Sequence, residues 1–162
     1  FENVDVVGDA YALPYADDSV AAVHCNAVLE HLERPRAAIA EMFRVLRPGG
    51  KVYAQTPFLQ AYHGYPHHYQ NYTLQGHNAL FERAGFEVLA SGAAVGPTFA
   101  IADLMGAYAR AYAPGPLGRV LQKLIQLLSL AVRPLDLLLY RVGDASRLAS
   151  CVFVEARKPE KP

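Results

Sequence analysis

The 162-residue chain reads as an α/β domain built on an open, mostly parallel sheet with helices covering both faces. Three observations predict this. Short β-rich runs alternate with helical periodicity from Val4 to Ala90; Gly8-Asp9, Pro48-Gly49-Gly50 and Gly85 punctuate the segments; and a nearly continuous apolar run over 150–155 reads as a final strand buried on both faces. With 52% hydrophobic and 19% charged residues, the chain carries enough apolar surface for one core.

Residues 4–8 are the first expected strand, and 20–25 the second after the turn-rich stretch 14–19. Pro35 opens a helix in which Ile39, Met42, Phe43 and Leu46 recur at helical spacing, and Pro48-Gly49-Gly50 is expected to stop it. Strand character resumes over 51–55. Thr56-Pro57 then begins an aromatic and histidine-rich loop running to Tyr72, long for a connection inside a domain. Thr73 can cap a helix with Leu74, Leu80, Phe81 and Ala84 on or near its inner face; Gly85 suits a left-handed exit, and 86–90 is the next strand. Beyond Pro97 lie an apolar helix over 99–112 and a second from Leu117 that Pro134 breaks. In that second helix Leu117, Leu121, Leu124, Leu128 and Ala131 share one face, opposite Arg119, Gln122, Gln126, Ser129 and Arg133. Residues 97–142 thus read as a helical insertion before the last strand.

Charge and cysteine usage narrow the function. Fifteen basic against fifteen acidic side chains leave no global field to attract nucleic acid. Cys25 and Cys151 lack metal-type spacing and sit in apolar segments, which points to buried thiols in a reducing compartment, the cytoplasm by default. The most apolar region, 117–142, is interrupted by Arg119, Lys123, Arg133, Pro134 and Asp136, so a membrane-spanning helix is not expected. The chain starts at Phe1 and enters a strand pattern almost at once, so the expectation is that a true start lies upstream, together with any targeting signal.

In open parallel sheets ligands sit at the carboxyl ends of strands, which directs attention to 8–11, 24–31 and 56–73. Gly8-Asp9-Ala10, Leu13-Pro14, Asp17-Asp18-Ser19, Asn26-Ala27-Val28-Leu29-Glu30-His31-Leu32 and Leu46-Arg47-Pro48-Gly49-Gly50, in this order and spacing, resemble the class I S-adenosylmethionine-dependent methyltransferases of the type 11-like, small-molecule kind. The resemblance covers about 4–50 and continues through 73–88. It implies a Rossmann-like methyltransferase sheet lacking its first two strands, truncated at the N-terminus past the glycine-rich cofactor loop. Residues 1–162 would then be a partial methyltransferase domain, inactive alone, with 97–142 as a helical insertion that could form a lid. The implied cofactor is S-adenosylmethionine and the implied partner a small organic methyl acceptor. By the same resemblance, the Asp9 carboxylate accepts a hydrogen bond from the adenine amine, the Ala10 N–H meets a ring nitrogen, and Asn26, Ala27 and Val28 line the methionine portion.

His31 is the candidate general base, for acceptors that must lose a proton, while Glu30 reads as structural. His63, His67, His68, Tyr69 and Tyr72, with Tyr62 and Tyr65, are expected to line the acceptor pocket, since aromatic rings with polar tips suit a small molecule of mixed polarity. No metal is expected: adjacent His67 and His68 diverge in an extended loop, no cysteine helps, and no i, i+4 histidine pair occurs on a helix. Related families carry an aspartate before the Tyr-Thr of this loop, where this chain has His68 and Gln70. The rival reading is a non-catalytic module of the same fold that uses 117–140 to bind a partner or a membrane surface.

Overall fold

The structure, a computed structural model, describes residues 5–64 and 66–160. Its sheet has four strands: β1 (Val20–Asn26), β2 (Leu46–Pro57), β3 (Glu87–Val95) and β4 (Cys151–Arg157), in the spatial order β1-β2-β4-β3. β1 runs parallel to β2, with Cys25 opposite Ala54. β4 is antiparallel to both its neighbours, pairing Ala156 with Val52 on one side and Val154 with Ser91 on the other. Sequential order therefore differs from spatial order: the last strand inserts between the second and third. Val152, Val154 and Ala156 are fully buried, as the continuous apolar run of a two-sided central strand requires.

Two helices close the core. α1 (Pro35–Val45) starts with proline in its first turn, where the missing N–H costs nothing, and buries Ala38, Ile39 and Met42. α2 (Leu74–Arg83) is capped by the Thr73 hydroxyl, which accepts from the Gly76 N–H at 3.1 Å, and Gly85 leaves it at φ +97°. Phe81 and Phe86 pack between these helices and β2, with the Phe43 ring edge-on to Phe86. Of the expected inner face of α2, Leu80 and Phe81 are buried, whereas Leu74 and Ala84 are half-buried and His77 takes a fully buried position.

Three expectations need correction. The described part of the expected first strand, residues 5–8, is exposed and pairs with nothing, while Val4 lies outside the described residues. A strand needs a neighbour to bond with, and among the described residues none flanks it. The first helix ends at Val45, and Pro48-Gly49-Gly50 belongs to β2, where the register against β1 jumps from Val20↔Leu46 to Ala22↔Lys51. Gly49, at φ +77°, accommodates that irregularity.

The third correction concerns the helical insertion, which holds three helices rather than two: α3 (Pro97–Tyr112), α4 (Pro116–Val132) and α5 (Leu135–Val142), with Pro134 ending one and opening the next. The shared leucine face of α4 points outward. Leu117, Leu121, Leu124, Leu128 and Ala131 are exposed, and the covered positions are Gly118, Gln122, Ile125 and Ser129. Small residues decide this: a Cβ on Gly118 would stand 2.8 Å from the Ala109 carbonyl oxygen, and one on Gly106 would stand 3.2 Å from the Gln122 side chain. α3 and α4 approach too closely there for leucines to intervene. The buried Asp136 carboxylate ties α5 to the start of α3, accepting from the Thr98 N–H at 3.0 Å and lying directly under Gly96. No helix among the described residues is long and apolar enough to cross a membrane.

His77 gives the core a pH dependence of known sign. It lies between Tyr72 and Phe81, neither ring nitrogen has a partner among the described residues, and burial pushes its pKa down from 6.5 to about 4. The unfolded chain therefore takes up the proton first, so stability is complete above about pH 6.5 and declines as pH falls toward 4. The loss is expected to be on the order of 3 kcal/mol. Denaturant titrations at pH 7 and pH 4.5 should show that this part of the decline disappears in His77→Leu.

Candidate functional site

The carboxyl ends of β1 and β2 open onto a ledge and a long loop. The ledge is Asn26-Ala27-Val28. Asn26 is exposed and its side chain makes no hydrogen bond to the described residues; Ala27 sits at φ +53° with its N–H bonded to the Gln55 carbonyl at 3.0 Å; and Val28 is about one-third exposed. A left-handed alanine costs energy, and here it turns the chain sharply off the strand.

Asp9 and Ala10 occupy a turn strapped along α1. One Asp9 carboxylate oxygen accepts from the Tyr11 N–H at 2.8 Å, the Asp9 carbonyl accepts from Ala12, and the Ala10 N–H makes no hydrogen bond within the described residues. The strap is held at both ends. The Tyr11 hydroxyl accepts from the Arg34 N–H, and the Arg34 guanidinium lies 4.5 Å from the Tyr11 ring centre. At the far end Arg44 donates to Asp17, Glu41 and the Leu13 and Tyr15 carbonyls, while Glu41 accepts from the Leu13 N–H. The Arg44 guanidinium holds the Glu41 carboxyl below its ordinary range. No hydrogen bond joins this turn to the Asn26–Val28 ledge.

Beyond the ledge a short 3-10 turn, Leu29–His31, faces the loop that leaves β2. Gln70 clamps the two together, its amide donating to the Leu29 carbonyl at 3.0 Å and the Leu32 carbonyl at 2.7 Å, and the Tyr69 N–H donates to the Glu30 carbonyl. This converts the departure from the family pattern at Gln70 into a structural fastening. His31 Nδ1 lies 2.5 Å from the His67 carbonyl. Its ring stands edge-on to His63 and tilted against His68, and His63 and His68 have centres 4.2 Å apart. Of the residues expected to line an acceptor pocket, His63 and His68 therefore join His31. His67 and Tyr69 are exposed, with their rings tilted against one another. Tyr72 turns inward against the core, and Tyr65 lies outside the described residues.

Glu30 is the residue that sequence reasoning undervalued. Its side chain is fully buried, neither carboxylate oxygen has a hydrogen-bond partner among the described residues, and His31 Nε2 and His63 Nε2 stand 3.9 and 4.0 Å from Oε1. Burial and then the Glu30 charge push the Cys25 thiol and the Tyr72 hydroxyl up to about 12, so both keep their protons at neutral pH. The available signal was a carboxylate flanked by Leu29 and Leu32, a position that buries its neighbours. Cys25 and Cys151 are both buried and unpaired, as expected from the sequence.

Residues 2–54 match the family model of a methyltransferase domain. Over 47 residues the chain is 49% identical to the demethylmenaquinone methyltransferase of Renibacterium salmoninarum, covering 29% of this chain and 20% of that protein. Over this third of the chain the sequence is similar to the class I S-adenosylmethionine-dependent methyltransferases. It is also 53% identical over 47 residues to the malonyl-[acyl-carrier protein] O-methyltransferase of Methylococcus capsulatus, covering 29% of this chain and 17% of that protein. These matches span about a fifth of the relatives' own lengths, 20% and 17%. Among solved structures, the [4+2]-cyclase SpnF shares the fold with a TM-score of 0.57 at 20% identity, over 96% of this chain and 56% of that one.

S-adenosylmethionine is the cofactor of this methyltransferase class, and the residues present fit its polar groups. The second Asp9 carboxylate oxygen and the unspent Ala10 N–H are neighbouring groups, an acceptor and a donor suited to an adenine edge. The exposed Asn26 side chain retains its hydrogen-bonding capacity at the strand end. The left-handed Ala27 is testable by itself: Ala27→Gly relieves the backbone and is expected to raise stability by about 1 kcal/mol in urea unfolding.

Proposed function

We propose that this chain contributes to S-adenosylmethionine-dependent methyl transfer onto a small organic acceptor. The observation that carries the reading is the methyltransferase-domain match over residues 2–54, which includes the Asp9-Ala10 turn and the Asn26–Val28 ledge at the carboxyl end of the sheet. S-adenosylmethionine supplies a methyl group made electrophilic by its sulfonium sulfur. Asp9 accepts from the adenine amine and Ala10 donates to the ring, fixing the cofactor's orientation, while Asn26, Ala27 and Val28 border its methionine side. The loop 58–73 holds the acceptor, and alignment with exclusion of water supplies much of the acceleration in a direct displacement. His31 contributes its Nε2 lone pair, which can take a proton from the acceptor or share a cation with it. The unpaired thiols of Cys25 and Cys151 are consistent with a reducing, cytoplasmic setting.

In the protein that carries this chain, Asp9→Ala is expected to weaken S-adenosylmethionine binding by about 1 to 3 kcal/mol, because the adenine amine loses its acceptor. Calorimetric titration measures this directly, and an unchanged dissociation constant would remove Asp9 from the site.

A second reading, a module that binds through its helical insertion, draws on the outward face of α4. Leu124, Leu127, Leu128 and Leu130 are each more than half exposed, and an apolar groove of ≈ 510 Å³ runs between α3, α4 and α5. An exposed amphipathic face of this kind suits a lipid surface or a lid. Flotation with anionic vesicles separates the two: on the membrane reading the chain rises with the vesicles and Leu124→Glu with Leu128→Glu abolishes this, whereas a chain that stays at the bottom excludes the membrane reading.

A further inference from the structure

Three lone pairs converge on one point beside the 3-10 turn. One ligand atom from each of Glu30, His31 and His63 lies within 4.8 Å of the other two, and Glu30 Oε1 stands 3.9 Å from His31 Nε2 and 4.0 Å from His63 Nε2. The protonation of both rings follows from their other contacts. His31 Nδ1 meets the His67 carbonyl at 2.5 Å and His63 Nδ1 meets the Ala61 carbonyl at 3.0 Å. A carbonyl oxygen can only accept, so Nδ1 carries the proton in each ring and Nε2 is left with a lone pair in the neutral form. Such backbone anchoring of the distal nitrogen is how metal-ligating histidines are oriented.

The buried carboxylate supplies the independent observation. Glu30 is fully buried, with both oxygens unpartnered among the described residues, and the groups around it, the Cys25 thiol and the Tyr72 hydroxyl, give it no hydrogen bond. A buried carboxylate without donors is costly, and the two imidazole nitrogens stand near 4 Å from it, beyond hydrogen-bond reach. A cation between the three atoms satisfies all of them. Ligands about 2.1 Å from a tetrahedral centre stand about 3.4 Å apart, so closure asks each carboxylate–imidazole pair to draw in by about half an ångström and the two imidazoles by at most about 1.4 Å. His63 sits on a loop, which makes that movement inexpensive.

We propose that Glu30, His31 and His63 form a three-ligand site for one divalent first-row transition cation. Two imidazoles and one carboxylate favour zinc, manganese or iron over magnesium, which prefers all-oxygen shells. His31 and His63 are about one-third exposed, at 31% and 38%, and form the entry side, leaving the remaining coordination positions toward the loop and solvent. His68 is a positioning residue: it accepts from the His63 N–H through Nδ1 and is fixed through Nε2 by the Asn71 carbonyl at 2.6 Å. On the methyl-transfer reading, on which this last step alone rests, an acceptor hydroxyl bound at the open position would be held and made more acidic.

The test is titration calorimetry of the chelator-treated chain with Zn²⁺, and separately with Mn²⁺, in the absence of cofactor, so its outcome does not depend on methyl transfer. One equivalent should bind. His63→Ala, a change in an exposed loop, should weaken the affinity about 100-fold or more. Glu30→Gln should do the same, and His67→Ala should leave it unchanged. Co²⁺ absorption should lack a thiolate band, excluding the two cysteines as ligands. Absence of saturable binding, or binding of full strength in His63→Ala, would overturn the proposal.

Discussion

The insertion of β4 between β2 and β3 is the constraint on which the rest depends. Its two ladders satisfy the backbone of both neighbours, and its buried valines and alanine fill the middle of the sheet. It also roots the histidine-bearing loop that leaves β2. Pro57 pairs with Cys151, the Phe58 N–H donates to the Ser150 carbonyl, and the Leu59 N–H donates to the Ala149 carbonyl. The direction in which the histidine-bearing loop leaves β2 is therefore set by the last strand of the chain.

From that root the loop returns over the turn after β1. Gln70 and the backbone of Tyr69 fasten it to Leu29, Glu30 and Leu32, and Asn71 ties it back to the Gln60 carbonyl. α3 touches the same loop, since the Asp103 carboxylate accepts from the Ala61 N–H at 3.4 Å. The helical insertion thus contacts this loop at Ala61 while its own leucines face outward. Loop, turn and insertion form a connected frame around Glu30, a buried carboxyl whose oxygens find no hydrogen-bond partner among the described residues.

On the other side of the sheet end, the Asp9-Ala10 turn is held by a different kind of bond. Arg44 distributes its guanidinium over two carboxylates and two carbonyls, a geometry that the planar fork of arginine suits better than lysine would. Lys158, beyond β4, adds contacts to Asp18 and the Phe43 carbonyl and lies over the Phe43 ring. These surface pairs contribute modestly one by one, but together they fix a segment that has no strand of its own to hold it.

What the sequence determined by itself was whatever local chemistry decides. The Thr73 cap, the left-handed Gly85, the helix opening at Pro35 and the strand pattern at 20–25 are stated by residue types a few positions apart, and that strand pattern by itself put Asn26–Val28 at a strand exit. Tertiary structure decided the features that depend on what lies opposite. Residues 5–8 have strand composition but no neighbour among the described residues, so they form no strand. α4 carries its leucines on one face, yet Gly106 and Gly118 let α3 approach on the other, and close backbone contact overrides the periodic pattern. Glu30 and His63 come from separate segments whose meeting depends on the β4 root and the Gln70 clamp. No spacing rule encodes that meeting, because it is set by hydrogen bonds between segments distant in the chain.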